Sequence, residues 1–441
     1  MQKQKILYIF KSLRQGGAET IGLAKILALI KAGYDVEAVT FVDETEFIAR
    51  KMLESGIMLH SLGLDRSDRT KTIFGHNLAQ DNEEVERYVQ SIQNIIDNIG
   101  ANIVVSALEK TSMVTTLAVE RMPQDKRPKL IWDIHSTSPE TYINKTGEMN
   151  LLVELSKKNI VSKIAYCSQS SFEHCTKVTG FPQEKSVLIS NGIDTDRFRF
   201  SQDGRDIIRR ECHITDDKKV IIFPARYDKV KCVPLFIEAA KAIFSEDPNV
   251  HIIMCGNQMT TENQELMALI GECKDRFSLL GERDDMPEIF SSANIIVNTS
   301  SSEALSLAML EAMACGCVPC VTPVGDAEHV LQDMIGILTK VDDVDSIVVG
   351  MKNALSKVPV KDGKVLTEGR DSDDNPYRSR IVKDYSLDRM AKKFDNLLQK
   401  SMRPPSRLTT GAQSVKQLVA QHDAKNTGQL TSPTYGGVNK W

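Results

Sequence analysis

Short apolar runs alternate with segments of helical periodicity along almost the whole of this 441-residue chain. The first unit is clear. Residues 6–10 are typical of a buried strand, residues 19–32 have helical spacing of apolar side chains, and residues 36–41 are typical of the next strand. Strand, helix and strand at this spacing predict βαβ units and a parallel sheet. Because the strands are apolar throughout, we expect the sheet to be covered on both faces.

The alternation pauses once, near the middle of the chain. An Asn191–Gly192 turn signal opens a polar, charged stretch, and strand-like runs resume at Val220. We therefore predict two α/β domains joined by a linker. The predicted parts are a first domain over 1–192, a linker over 193–216, a second domain over 217–384 with a polar loop insertion at 359–380, an amphipathic helix over 385–400, and a polar basic tail over 401–441.

Composition and charge exclude several classes of protein. Lys plus Arg is 55 and Asp plus Glu is 59, a formal net charge of −4, which argues against a protein that coats nucleic acid. No apolar run approaches the roughly 18 residues that span a bilayer, and the N-terminus lacks the apolar region of a signal peptide. Nine cysteines in a chain of this size are expected to be reduced thiols, as in the cytoplasm.

The glycine pair Gly16–Gly17 lies between the first predicted strand and the first predicted helix. In an open α/β sheet, ligands bind outside the carboxyl ends of the strands. Glycines let the backbone approach a ligand closely, and the helix N-terminus behind them suits a phosphate. A tight turn without a ligand is the alternative. The segment is not G-x-G-x-x-G, which argues against dinucleotide binding.

Arg226 and Lys231 follow the first predicted strand of the second domain. Two fixed cations can neutralise the charge that develops on a diphosphate leaving group without a metal. A basic loop facing solvent is the alternative reading of this pattern.

Glu303 and Glu311 are predicted to lie on one helix, which the serines at 300–302 would cap. Eight residues at about 1.5 Å each place the two carboxylates about 12 Å apart along the helix axis. That distance is comparable with the span from sugar to ribose in a sugar nucleotide, with the helix N-terminus near the phosphates. Two exposed glutamates are the alternative, but Glu311 stands in an apolar run, where an unpaired carboxylate is costly.

His135 stands at the end of a predicted strand of the first domain. There it is expected to face the cleft between the domains and to hydrogen-bond a sugar. A structural role is the alternative for a lone histidine.

Together these segments resemble the retaining family 4 glycosyltransferases of the glycosyltransferase-B fold, over roughly residues 5–400. The motifs that carry the resemblance are Glu303-x7-Glu311 within SSSEALSLAMLEAMACGCVPCVT, QGGAE at 15–19, R-x4-K at 226–231, and SQSSFEHCTKVTGFPQEKSVLISNGIDTDRF at 168–198. The resemblance implies two Rossmann-like domains facing across a cleft. The first domain would bind the acceptor and the second the nucleotide-sugar donor, and the helix at 385–400 would cross back onto the first domain.

The resemblance also assigns roles to individual residues. Arg226 and Lys231 would hold the donor diphosphate, with Gly16 and Gly17 closing on it from the opposite domain. Glu303 would contact the donor sugar and His135 would approach it from the first domain. The remaining donor contacts implied are Glu311 at the ribose, Asn257 in the nucleotide pocket, and Ala304, Leu305, Ser306 and Leu307 after the first glutamate.

One departure from the family pattern concerns the donor sugar. Members often have Gly-Phe-Gly after the first glutamate, and Ala304-Leu305-Ser306 stands there in this chain. Two of the three residues are still small, so the backbone remains accessible. The identity of the donor sugar is accordingly left open.

The resemblance implies transfer with retention of anomeric configuration, with no cofactor and no required divalent metal. The expected partners are a nucleotide-sugar donor and a glycan or lipid-linked glycan acceptor, in polysaccharide or glycoconjugate biosynthesis, with no nucleic acid. We expect a cytoplasmic enzyme, with peripheral contact at the inner face of a membrane as a further expectation. The alternatives are a nucleotide-sugar epimerase or phosphorylase on the same fold, or a non-catalytic protein that binds glycan or nucleotide.

Two metal-like patterns are set aside. Cys315, Cys317 and Cys320 join a predicted helix to a buried strand without a second Cys/His pair at zinc spacing, so they are interpreted as small apolar residues. The D-x-D pattern at Asp194 and Asp196 follows a turn in the linker and not a strand in a nucleotide site.

Basic residues in a loop of the first domain and in the tail suggest a further contact. Arg66, Arg69 and Lys71 could meet an anionic acceptor or a membrane surface, and a solvated loop is the alternative. For the tail at 401–441, the two readings are a solvated appendage and a docking segment for an acidic partner or membrane.

Overall fold

Two parallel β-sheets form the framework of the protein. The structure is a computed structural model and describes residues 4–13, 16–42, 47–64, 83–139, 146–332 and 336–402. The basic loop residues Arg66, Arg69 and Lys71 lie outside the described residues, as does the tail beyond residue 402.

The first sheet has seven strands. They are β1 (Lys5–Phe10), β2 (Asp35–Val42), β3 (Leu59–Leu64), β4 (Ile103–Ala107), β5 (Lys129–Ile134), β6 (Val161–Tyr166) and β7 (Ser186–Leu188). The helices between them are α1 (Gly17–Lys31), α2 (Phe47–Glu54), α3 (Glu83–Ile99), α4 (Glu109–Arg121), α5 (Thr146–Lys157) and α6 (Gln169–Glu173). Two apolar clusters lie on the two faces of this sheet, as the continuously apolar strands predict.

The second sheet has six strands. They are β8 (Lys219–Pro224), β9 (Val250–Cys255), β10 (Phe277–Leu279), β11 (Ile295–Asn298), β12 (Val318–Val321) and β13 (Ile337–Leu338). Its helices are α7 (Gln202–Glu211), α8 (Val233–Glu246), α9 (Gln264–Ile270), α10 (Met286–Ser292), α11 (Leu307–Ala314), α12 (Ala327–Leu331), α13 (Val344–Ser356) and α14 (Pro376–Asp384). A small antiparallel hairpin, β14 (Val360–Lys361) with β15 (Lys364–Val365), precedes α14, and α15 (Leu387–Ser401) follows it.

The two sheets share the same strand order over six strands, the first sheet adds β7 at one edge, and every pairing in them is parallel. The first runs β3-β2-β1-β4-β5-β6-β7 and the second β10-β9-β8-β11-β12-β13. In each sheet the order reverses beside its first strand, between β1 and β4 and between β8 and β11. Ligands bind at such switch points in Rossmann-like domains. The prediction of two Rossmann-like α/β domains is confirmed.

The predicted linker at 193–216 holds more structure than its polar sequence suggested. Helix α7 lies inside it, and Ile208 of that helix is fully buried in the core of the second domain. Helix α7 was not predicted because its apolar side is narrow and its other side is strongly charged.

The predicted loop insertion at 359–380 is also a structural element. Its Arg370 is 7% exposed, and the guanidinium donates to the carbonyls of Phe290, Ser291 and Cys315. These carbonyls lie at the C-terminal ends of α10 and α11, where a helix has no backbone donors of its own. The segment therefore closes two helix ends of the second domain.

Helix α15 crosses back onto the first domain. Its apolar residues Met390, Phe394, Leu397 and Leu398 are buried in the same cluster as the inner side chains of α1. At the crossing, Ile193 and Ser386 form a parallel bridge, so the outgoing and returning chains run side by side. The two domains are therefore connected twice.

A buried carboxylate also joins the domains. Asp326, just before α12 in the second domain, is 1% exposed and accepts hydrogen bonds from the backbone N–H groups of Gln169 at 2.7 Å and Ser170 at 2.8 Å. Those groups open helix α6 of the first domain, where N–H groups have no partner within the helix. A negative charge is favourable at that position.

The apolar face of α15 generates the first prediction. Phe394→Ala should lower the free energy of unfolding by about 3–5 kcal/mol, because it leaves a cavity in the core of the first domain. The exposed Asn396→Ala on the same helix should stay within about 0.5 kcal/mol of wild type. Urea unfolding of both variants measures this, and equal midpoints would show that α15 does not hold the first domain.

The contact of Asp326 generates the second prediction. Asp326→Ala removes two charge-assisted hydrogen bonds, each worth about 1.5–3 kcal/mol, and should let the domains separate. Small-angle X-ray scattering should then give a larger radius of gyration than for wild type. The control is the exposed Glu328→Ala two residues along the chain. An unchanged radius in Asp326→Ala would count against a clamping role.

Candidate active site

A cavity of about 570 Å³ lies between the two domains. Its walls come from residues that follow β1, β4 and β5 in the first sheet and β8 and β11 in the second, so the switch points of both sheets open onto it. Ten of the twelve predicted site residues line it. They are Gly16, Gly17, His135, Arg226, Lys231, Glu303, Ala304, Leu305, Ser306 and Leu307.

An ion pair between Lys231 and Glu303 stands in the wall formed by the second domain. The Lys231 ammonium donates to Oε1 of Glu303, and the Ser300 hydroxyl donates to the same oxygen at 2.9 Å. Both side chains are about one-fifth exposed. The carbonyl of Lys231 also accepts a hydrogen bond from the Thr299 hydroxyl, which ties the loop after β8 to the end of β11.

Arg226 lies at the rim of the cavity. Its side chain is 61% exposed, and its Nε is 3.0 Å from Oδ2 of Asp228. The other carboxylate oxygen of Asp228 accepts from the N–H of Val230, and these two hydrogen bonds, the backbone one first, lower the pKa of Asp228. Both predicted phosphate-binding cations are therefore paired with carboxylates of their own domain.

Glu303 does not lie on the helix, contrary to the prediction. Helix α11 begins at Leu307, and its cap is Ser306, whose hydroxyl accepts from the N–H of Met309. The serines at 300–302 belong to the preceding loop, so the axial estimate of about 12 Å between the two glutamates does not apply.

Gly325 shapes the loop that carries Glu303. A Cβ at Gly325 would come within 2.2 Å of the carbonyl oxygen of Glu303, and the backbone of Gly325 has a φ of +59°. The next N–H, that of Asp326, donates to the carbonyl of Ala304 at 3.0 Å. The residue that contacts the first domain is thus also bonded to the loop of Glu303.

Glu311 and Asn257 do not line the cavity. Glu311 is partly buried in the second turn of α11, and burial raises its pKa to about 8, with the charge of Arg197 opposing the shift. Asn257 is exposed, and its carbonyl accepts from the N–H of Tyr227 at 2.9 Å. The structure places both on the second domain, outside the cavity.

Gly17 faces the second domain directly. A Cβ built there would lie 3.5 Å from Cδ1 of Leu307, so the first turn of α1 approaches the start of α11 closely across the cleft. A Cβ at Gly16 would collide with the carboxylate of Glu19 in the same turn. The first turn of α1 therefore borders the start of α11 on this side of the cavity.

His135 stands above a buried charge network in the first domain. Its Nε2 lies 3.1 Å from Oδ2 of Asp133, without hydrogen-bond geometry. The Lys25 ammonium is 2.7 Å from each oxygen of Asp133, and the Tyr8 hydroxyl donates to the same carboxylate. Burial alone would raise the pKa of Asp133, but Lys25 and then His135 hold that pKa well below its usual range.

Sequence reasoning missed this network. Lys25 is 1% exposed on the apolar side of α1, and Asp133 is fully buried within β5. A lysine among apolar helix positions and an aspartate inside an apolar strand were the available signals. The start of α4, where residues 108–111 line the cavity, was likewise not predicted.

The patterns set aside as metal sites have structural roles. All nine cysteines are free thiols, and Cys315, Cys317 and Cys320 are buried in the second core. Asp194 accepts from the N–H groups of Asp196 and Arg197, which makes a local turn. Within the described residues, no group of three or more His, Cys, Asp or Glu side chains is placed to hold a metal ion.

No helix in the described part of the chain combines the length and the apolar character needed to cross a bilayer.

The chain is similar to known glycosyltransferases in part of its sequence and in its fold. Residues 204–362 match the family model described as glycosyl transferases group 1. N-acetyl-alpha-D-glucosaminyl L-malate synthase of Bacillus anthracis is 26% identical over 227 residues, which cover 50% of this chain and 57% of that protein. UDP-Gal:alpha-D-GlcNAc-diphosphoundecaprenol alpha-1,3-galactosyltransferase of Escherichia coli is 26% identical, with 51% and 57% covered.

The alignments thus span little more than half the length of these curated relatives. The fold is matched more completely. Anabaena HepE, solved in complex with UDP and glucose, superimposes with a TM-score of 0.70 at 18% identity, and the match covers 90% of this chain and all of that one. Residues 204–362 are thus similar to the group 1 glycosyltransferases, and the chain shares the two-domain glycosyltransferase-B fold of the solved structures.

Proposed function

We propose that the protein is a retaining glycosyltransferase that moves a sugar from a nucleoside diphosphate sugar to a glycan or lipid-linked glycan, without a metal. The observation that carries this proposal is the Lys231–Glu303 pair in a cavity at the switch points of two facing sheets. A uridine nucleotide is the first donor to test, because HepE was solved with UDP and glucose. A lipid-linked acceptor would bring the protein to a membrane surface.

The donor diphosphate fits between three sources of positive charge. Lys231 and Arg226 supply two cations, and the first turn of α11 supplies N–H groups with no partner in the helix. Fixed charges of this kind stabilise a departing diphosphate without the solvent reorganisation that water would require. In this proposal they do the work that a divalent metal does in other transferases.

Binding of the donor exchanges the partners of the ion pair. In the free protein Lys231 and Glu303 neutralise each other, so neither charge is left unpaired in a partly enclosed site. When the diphosphate takes Lys231, the Glu303 carboxylate becomes available to accept hydrogen bonds from sugar hydroxyls. His135 would then meet the sugar from the first domain, and Gly16 and Gly17 would close on the phosphates.

The nucleoside would extend along the second domain, past Ala304 to Leu307. In this arrangement Glu311 accepts from the ribose hydroxyls and Asn257 lies beside the nucleotide. Retention requires the acceptor hydroxyl to form its bond to the anomeric carbon on the face from which the diphosphate leaves. An acceptor held by the first domain would approach from across the cleft.

The third prediction tests the ion pair. Lys231→Ala and Glu303→Ala should each lower turnover of UDP-sugar by about 10²–10³-fold, because each removes a charge that stabilises the reacting groups. The control is Lys229→Ala, an exposed lysine on the same turn as Lys231. Turnover is measured as UDP release with and without EDTA, and thermal melting checks that each variant is folded. NMR of the anomeric proton in the product gives its configuration.

Products separate this proposal from its competitors. Isomerised donor without UDP release would indicate an epimerase, and a sugar phosphate formed from inorganic phosphate would indicate a phosphorylase. Turnover near wild type in either well-folded alanine variant would contradict the assigned site, and loss of activity in EDTA would contradict metal independence.

The fourth prediction concerns pH. The pKa of Glu311, about 8 in the folded protein against an ordinary 4.5, means that the folded state holds a proton that the unfolded state loses. The contribution of Glu311 to the free energy of unfolding therefore falls as pH rises from about 4.5 to 8. Glu311→Gln should melt above wild type at pH 9, with the gap closing towards pH 5. A difference in melting temperature between Glu311→Gln and wild type that does not change between pH 5 and pH 9 would contradict this prediction.

The same residue predicts a pH dependence of nucleotide binding. An ionised carboxylate accepts from ribose hydroxyls more strongly than a protonated one, so the affinity for UDP should rise between pH 7 and 9, where the phosphates are already charged. Calorimetry should show that Glu311→Gln loses this rise.

A further inference from the structure

The Ser300 hydroxyl and the Lys231 ammonium donate to the same oxygen of the Glu303 carboxylate. Ser300 is fully buried, and its hydroxyl lies 2.9 Å from Oε1 of Glu303. The two hydrogen bonds that Glu303 accepts from described side chains both end on Oε1, so Oε2 has no such partner. Because Glu303 lines the cavity and is partly exposed, Oε2 is the oxygen that can accept from a bound ligand.

The backbone of Ser300 is fixed by hydrogen bonds on both sides. Its N–H donates to Oδ1 of Asn298 at 2.8 Å, and its carbonyl accepts from the Thr322 hydroxyl at 2.6 Å. Asn298 ends β11 and Thr322 follows β12, so two paired strands hold Ser300 in place. Neither bond involves the Lys231 side chain, and Ser300 therefore keeps its position when that side chain moves.

Lys231 is held by its backbone, and its ammonium can change partner. The carbonyl of Lys231 accepts from the Thr299 hydroxyl at 2.9 Å, and the ammonium donates only to Glu303 among the described residues. A diphosphate can therefore take the ammonium from Glu303 without disturbing the loop. In that state Ser300 is the one donor left to the Glu303 carboxylate within the described part of the chain.

The loss of Lys231 leaves the direction of the Glu303 carboxylate to Ser300. A glutamate side chain has several rotatable bonds, and a ligand that has to fix them on binding loses affinity. With Oε1 held by Ser300, the carboxylate keeps one direction while Lys231 changes partner. Oε2 is then in place before a hydroxyl donor arrives.

We propose that Ser300 is a positioning residue, which holds Oε1 of Glu303 when the donor diphosphate takes Lys231 and so presents Oε2 to the hydroxyls of the donor sugar. The inference rests on the proposed function, because the exchange of partners is part of it. Ser300 is not among the described residues that line the cavity. It therefore acts through Glu303 and does not touch the sugar.

Ser300→Ala provides the fifth prediction, and Ser301→Ala is its matched control in the same loop. Ser301 is exposed, and its hydroxyl lies 3.3 Å from the carbonyl of Val230, away from Glu303. Ser300→Cys is a second variant, which keeps the shape of the side chain but has only a weak donor. Thermal melting checks that each variant is folded.

Calorimetry without acceptor compares the affinity for a nucleotide sugar with the affinity for its free nucleoside diphosphate. The probes are UDP-glucose, UDP-galactose, UDP-N-acetylglucosamine, GDP-mannose and ADP-glucose, beside UDP, GDP and ADP. For the nucleotide sugar that wild type binds most tightly, Ser301→Ala should leave the ratio of the two affinities unchanged. Ser300→Ala should lower that ratio about tenfold, the size of effect expected when a hydrogen bond to a charged group is lost, and Ser300→Cys should lower it in the same direction.

A double-mutant cycle tests whether Ser300 acts through Glu303. In a Glu303→Ala background, Ser300→Ala should leave the ratio unchanged, because the group that Ser300 holds is missing. A serine that only supports the loop would affect nucleotide sugar and nucleoside diphosphate equally, with or without the Glu303 side chain.

Three outcomes would overturn the positioning role. They are an unchanged ratio in Ser300→Ala, a ratio that falls equally in the presence and absence of the Glu303 side chain, and a wild type that binds none of the nucleotide sugars. The proposed function fails separately, when a nucleotide sugar binds with the expected ratios but its sugar is never transferred to an acceptor.

Discussion

The cavity exists because two similar sheets are held with their carboxyl ends facing each other, and two contacts provide that alignment. Helix α15 gives the first domain an apolar face from the far end of the chain, including Phe394. Asp326 joins the second domain to the start of α6 through two backbone N–H groups. The N–H of Asp326 is also bonded to the carbonyl of Ala304, so one residue contacts both α6 and the loop of Glu303.

The two walls of the cavity differ in whether their polar side chains have partners within the protein. On the second domain, Lys231 is paired with Glu303 and Arg226 with Asp228, so charges are satisfied before any ligand arrives. On the first domain, the Thr111 hydroxyl and Asn191 Oδ1 are buried and have no hydrogen-bond partner among the described residues. A ligand on the second domain must displace existing partners, and its own charge has to compensate for them.

Much of the fold follows from the sequence because the hydrophobic period is local. Residues such as Val220 and Val36 lie in strands where the apolar runs predicted them, and α15 follows from its amphipathic spacing. The helix start at Ser306 was harder, because three serines at 300–302 offered competing caps and the actual boundary depends on Gly325 packing from a later turn. The structural role of Arg370 was equally hidden, since the carbonyls it binds are more than fifty residues away.

The site residues differ in the same way, because those close in sequence could be predicted and those far apart could not. Residues close in sequence, such as Arg226 and Lys231, are recognisable because chemistry constrains their spacing. The Lys25–Asp133 pair joins residues 108 positions apart, and no local pattern reports that a lysine on α1 meets an aspartate on β5. Its effect is nevertheless specific: the buried carboxylate of Asp133, 3.1 Å from Nε2 of His135, keeps its charge because Lys25 compensates it in the low-dielectric interior. The Lys25 ammonium also lies 5.0 Å from the centroid of the Phe394 ring. Helix α15, which returns from the second domain, therefore borders the Lys25–Asp133 pair.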